Sequence, residues 1–134
     1  MIVTEWADDS KRVICIHFTS PFTREEYEQM NAQKVQMMKT VTHPVALILD
    51  VSRTRTVPTD LFMEFRRSAQ WVIETEQLEQ VVLAHSSVFI RSLLLMMVEM
   101  YPQISHKLKL AKSVEEAREL LQKKYTAIQN TPSS

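Results

Sequence analysis

The chain has 134 residues, enough for one domain that buries about two-thirds of the surface its unfolded form exposes. Its single cysteine, Cys15, excludes an internal disulfide, and sixteen Lys and Arg against sixteen Asp and Glu leave no general field to draw in nucleic acid or an anionic membrane. Glycine is absent, which excludes the glycine-rich phosphate cradles, the P-loop and the dinucleotide fingerprint among them.

Residues 1–6 and 11–18 are β-rich runs on either side of Ala7-Asp8-Asp9-Ser10, a turn sequence suited to an antiparallel hairpin. In the second run Val13, Cys15 and His17 share one face, while Ile14, Ile16 and Phe18 share the other. Both faces are apolar enough to be covered, so Cys15 reads as a small buried hydrophobe and His17 as a strand histidine satisfied by a neighbour. Glu5, Asp8 and Asp9 stand where a secretory signal needs positive charge and an apolar core, and the expected compartment is the cytoplasm. No apolar helix pattern is long enough to span a bilayer.

Thr23-Arg24-Glu25-Glu26 has the form of a capping box opening a helix. Tyr27, Met30, Met37, Met38 and Val41 give it a loose apolar stripe, and His43-Pro44 stops it. Residues 45–49 form an unbroken apolar run ending on Asp50, the pattern of a central parallel strand buried on both faces. A polar loop over residues 52–56 follows. The spacing then predicts a helix over 59–75, with Thr59 as its cap, Asp60 in its first turn, and Leu61, Phe62, Phe65, Ala69, Val72 and Ile73 buried. Glu64, Arg66, Arg67 and Gln70 are expected outside.

A second buried strand over 80–84 ends on His85-Ser86-Ser87, where Ser86 or Ser87 caps a helix over 88–101. Met96, Met97 and Met100 belong to the long apolar surface of that helix, which exceeds what one sheet face needs. Neighbouring helices, a second copy of the chain or an apolar ligand must cover the surplus. Residues 107–111 read as a short peripheral strand. Ser113-Val114-Glu115-Glu116 then opens a last amphipathic helix carrying Ala117, Leu120, Leu121, Tyr125 and Ile128. The order is β-β-α-β-α-β-α-β-α: an α/β fold with a mixed sheet, an N-terminal hairpin and right-handed crossovers. Residues 1–129 form one domain and residues 130–134 a polar tail.

Pro21-Phe22-Thr23-Arg24-Glu25-Glu26-Tyr27, Leu47-Ile48-Leu49-Asp50-Val51-Ser52 and Ala111-Lys112-Ser113-Val114-Glu115-Glu116-Ala117, in that order and spacing, carry a likeness across the whole chain. The chain resembles the STAS superfamily, small α/β domains named for sulfate transporters and anti-sigma factor antagonists. It is most similar to the sporulation-factor branch, with which CRAL-TRIO lipid-exchange domains are sometimes grouped. The resemblance implies a non-catalytic regulatory module with an anti-sigma factor or a kinase as protein partner. The antagonists carry Asp-Ser-Ser-Gly at the start of the helix after the central strand, and a serine there is phosphorylated. The matching stretch here is Pro58-Thr59-Asp60-Leu61, with the glycine missing, both serines changed and an aspartate near the phosphoacceptor position.

Three functional readings follow from the residues. The first is a protein-interaction surface formed by the loop and the helix after it, with Thr59, Asp60 and Ser52 as phosphoacceptor or switch candidates beside Arg53 and Arg55. The second is a small-molecule or lipid-binding domain. Its apolar slot at Met96, Met97 and Met100 would have a polar rim of Asp50, Arg53, Arg55, His85 and Ser86 at the strand ends, suiting an apolar or acidic ligand. The third, an enzyme built on Asp50, His85 and Ser86 or Ser87, lacks a nucleophile-elbow sequence, and no catalysis is expected. His17, His43, His85 and His106 are dispersed, so neither a metal nor a cofactor is expected. A homodimer is one way to cover the Met-rich helix.

Overall fold

A computed structural model describes the backbone of residues 1–84 and 87–130 and the side chains through residue 124 outside that gap. Nine regular elements follow in order: β1 (Ile2–Trp6), β2 (Val13–Thr19), α1 (Arg24–Lys39), β3 (Val45–Arg53), α2 (Phe62–Glu74), β4 (Leu78–Ala84), α3 (Val88–Met100), β5 (Leu108–Ala111) and α4 (Val114–Asn130). Short 3-10 turns over Thr59–Leu61 and Pro102–His106 precede α2 and β5. The domain is thus an α/β protein with four helices on a mixed sheet.

The five strands lie side by side in chain order, β1 antiparallel to β2 and the remaining neighbours parallel. A run of right-handed crossovers stepping in one direction lays successive helices on one face of the sheet. Accordingly, Tyr27, Met30 and Met38 of α1, Ala69 and Val72 of α2 and Ile90 of α3 pack in one core with Ile14, Ile16, Leu47, Val81 and Leu83. The opposite face belongs to α4. There Ala117 and Leu121 pack on Cys15, Ala46, Ile48, Val82, Ala84 and Ala111. Strand residues alternate between these two cores, so β3 and β4 read as continuous apolar runs.

The hairpin closes with Lys11 at φ 56°, a left-handed conformation that this glycine-free chain assigns to a lysine. At the start of α1 the capping box forms in full: Thr23 Oγ1 accepts the Glu26 N–H at 3.1 Å and Glu26 Oε1 accepts the Thr23 N–H at 3.2 Å.

Several boundaries differ from the sequence expectation. β3 continues through Arg53, so Ser52 and Arg53 are exposed strand residues and the loop begins at Thr54. β4 starts at Leu78. α2 begins at Phe62 rather than Thr59, and Thr59 does not cap it. The reason is Pro58, whose ring sets φ near −58° and whose carbonyl accepts the Leu61 N–H at 3.3 Å, closing a 3-10 turn that holds Thr59 and Asp60 within it. The inward stripe keeps Leu61, Ala69 and Val72, but Phe62 at the helix start is 44% exposed, whereas Glu64, expected outside, is buried. α4 runs through Asn130, into the predicted tail. The side chains of Tyr125 and Ile128, and residues 131–134, lie outside those described.

Candidate binding site

The layer formed by α1, α2 and α3 does not close tightly on the sheet. A cavity of about 200 Å³ lies between them, lined from the sheet side by Phe18, Leu49, Val51 and Leu83 and from the helix side by Phe65, Ala69, Val72, Ile90, Leu93, Leu94 and Met97. Its wall also carries four polar side chains, each already engaged with protein. Thr54 Oγ1 donates to Phe18 O at 3.2 Å, and Tyr27 Oη and Ser68 Oγ share a hydrogen bond at 2.7 Å. Lys107 Nζ donates to the carbonyls of Val72 and Thr75, both at 2.8 Å. Burial holds Lys107 below the ordinary lysine value, partly offset by Glu76. With these four groups engaged internally, the cavity offers shape and apolar surface.

Of the strand-end residues singled out in the sequence, Asp50, Arg53 and Arg55 do not line this cavity. Arg53 and Arg55 are exposed, and the cation at the wall is Lys107, just before β5. Of the methionines, Met97 lines the cavity, Met96 is half-buried away from it and Met100 is exposed, because the inward stripe of α3 is Ile90, Leu93, Leu94 and Met97. Ser87 caps α3, accepting the Ile90 N–H at 3.2 Å. His85 and Ser86 lie outside the described residues.

The loop after β3 hangs on Ser20. Its hydroxyl donates to Thr56 O at 2.8 Å and accepts the N–H groups of Arg55 and Thr56 at 3.1 and 3.3 Å. Thr59 and Asp60 are both exposed on the following turn, and Ser52 is exposed on β3.

Asp50 faces the α4 side, away from the cavity. Its Oδ2 lies 2.7 Å from His17 Nδ1 and its Oδ1 accepts the Ser52 N–H at 3.1 Å, while His17 Nε2 lies 3.2 Å from Glu5 Oε1. Partial burial pushes the Asp50 carboxyl up, but its contacts with Ser52 and His17 outweigh that and hold it below the ordinary value. Asp50 is therefore a carboxylate bonded to its own strand end and to the neighbouring strand. Burial raises the Cys15 thiol to about 11, which leaves it inert at neutral pH.

Among the described residues no cluster of His, Cys, Asp and Glu could hold a metal ion, and no helix is long and apolar enough to cross a membrane. The fold and cavity define an α/β domain with an apolar cavity beneath its helical layer. No protein-family model matches the chain. Comparison with curated proteins yields no match either.

Proposed function

We propose that this chain is a non-catalytic binding domain whose cavity takes a small apolar or amphiphilic molecule. The observation that carries the reading is the cavity itself. Water standing against this largely apolar wall forgoes hydrogen bonds it would make in bulk, which costs free energy. An apolar occupant recovers that loss, and the internal satisfaction of Thr54, Tyr27, Ser68 and Lys107 means it need bring no polar partners. The grouping of CRAL-TRIO lipid-exchange domains with the superfamily this chain resembles supports the same reading. Native mass spectrometry of protein purified gently from its own host tests it, together with melting curves in octanoate and octanol. A co-purifying ligand or a rise in melting temperature with either probe is expected. A bare protein whose melting is unmoved by both overturns the reading.

A second reading is supported by what lies outside the cavity. Phe62 and Met63 are 44% and 51% exposed directly after Thr59 and Asp60, and Val88 and Leu95 on α3 are 81% and 64% exposed. Exposed apolar groups beside a hydroxyl-bearing turn suit a cytoplasmic STAS-like regulatory module that docks a protein partner, an anti-sigma factor or kinase by resemblance, or a second copy of itself. Thr59 is then the phosphoacceptor, with Asp60 and Ser52 as further switch positions. Intact mass before and after phosphatase treatment tests the switch: a phosphate that maps to Thr59 supports it, and a single unmodified species under all growth conditions removes it.

A further inference from the structure

A second space, of about 330 Å³, lies between α1 and α2, separated from the apolar cavity by Ser68, which borders both. It has the opposite chemistry. Lys34 of α1 is buried with its Nζ 4.0 Å from the centre of the Trp71 ring, and its one hydrogen bond among the described residues is to Asn31 Oδ1 at 2.9 Å. An ammonium has three N–H donors, and beyond Asn31 and the face of the Trp71 ring this one has no protein partner among the described residues. Burial alone lowers it to about 8, with no carboxylate offsetting the loss of solvent. Across the groove Glu64 of α2 is also buried. Its Oε1 lies 3.7 Å from Arg24 Nε and 3.8 Å from Arg67 Nη1, longer than hydrogen bonds, and its Oε2 is buried with no hydrogen-bond partner among the described residues.

We infer that this groove is a binding site for a small organic acid that carries a hydroxyl or ammonium group beside its carboxylate. The carboxylate supplies the counter-charge that Lys34 lacks and that the exposed Arg67 reinforces, through charge-assisted hydrogen bonds. The neighbouring donor gives a hydrogen bond to the Glu64 carboxylate, which lines the groove and has none among the described residues. A simple fatty acid meets only the first demand and a polyol only the second, so the site selects for both groups together. Trp71 provides an apolar wall for the carbon skeleton. The inference does not depend on the occupant of the apolar cavity.

Titration of nitrogen-15-labelled protein with serine and with glycerate tests it, using acetate and glycerol as probes that each lack one of the two groups. The Trp71 indole resonance reports the groove and the Trp6 indole serves as an internal reference. The expected result is a saturable shift of the Trp71 signal with serine or glycerate and binding of acetate and glycerol weaker by about tenfold or more. Lys34→Met weakens the serine or glycerate affinity by about tenfold or more, and so does Arg67→Gln, an exposed position where the fold tolerates the change. A Trp71 signal that neither acid moves at tens of millimolar overturns the inference, as do equal responses to acetate or unchanged affinity in both variants.

Discussion

Burying Lys34 against Trp71 takes an ammonium out of water without giving it a counter-ion, so the charged form is disfavoured in the fold. The sign follows from linkage. The unfolded chain holds more protons between about pH 8 and pH 10.5, and stability rises with pH across that window, while the cost stands in full below it. Lys34→Met should remove that rise and, in ligand-free protein at neutral pH, gain about 1–2 kcal/mol in urea unfolding. His17 lies between two carboxylates, its Nδ1 2.7 Å from Asp50 Oδ2 and its Nε2 3.2 Å from Glu5 Oε1. The Asp50 carboxyl titrates below its usual value. The stability it contributes is therefore complete above about pH 4 and lost as the pH falls through the lower folded value. His17→Ala should cost about 1 kcal/mol and flatten the acid limb of the stability profile, measured by urea unfolding from neutral pH down to about pH 2. That His17 would be satisfied was legible from its strand position. Its partners were not, because they come from β1 and β3, and register pairs them.

At the scale of elements, the α4 face of the sheet is made of small residues for a reason. Cys15, Ala46, Ala84 and Ala111 let one helix settle closely, with Ala117 of α4 fully buried against them. Ala46→Leu should overpack this contact and cost about 1–3 kcal/mol, read as a lower denaturation midpoint, whereas the same change at an exposed site of α1 should be nearly neutral. The other helical layer is looser. α3 was legible as a helix with surplus apolar surface, and the two fates of that surplus follow from its rotation: Leu93, Leu94 and Met97 line the cavity, while Val88 and Leu95 face outward. The start of α2 was misread because Thr59 and Asp60 have good cap and first-turn chemistry. Pro58 two residues before Asp60 moved the true start to Phe62 by closing a 3-10 turn first. Glu64 lies inside one helical turn on from the buried Leu61, and it supplies part of the α2 side of the groove.

For the whole molecule, the cavity sets the balance between stability and binding. Ala69 is buried at its wall on α2, and Ala69→Leu places three more carbons in the space. The variant should gain about 1 kcal/mol in thermal unfolding and lose the melting shift with octanoate or octanol, the trade expected where a void exists for a ligand. The sequence by itself determined the α/β class, the strand and helix order, the central place of β3 and the peripheral one of β5, because apolar periodicity, caps and turn residues act over a few positions. Tertiary structure alone decided which helices share a face, that they leave a cavity, and that Lys34 of α1 meets Trp71 of α2 across a groove. Those outcomes depend on crossover hand, helix rotation and the fit of side chains far apart in the chain.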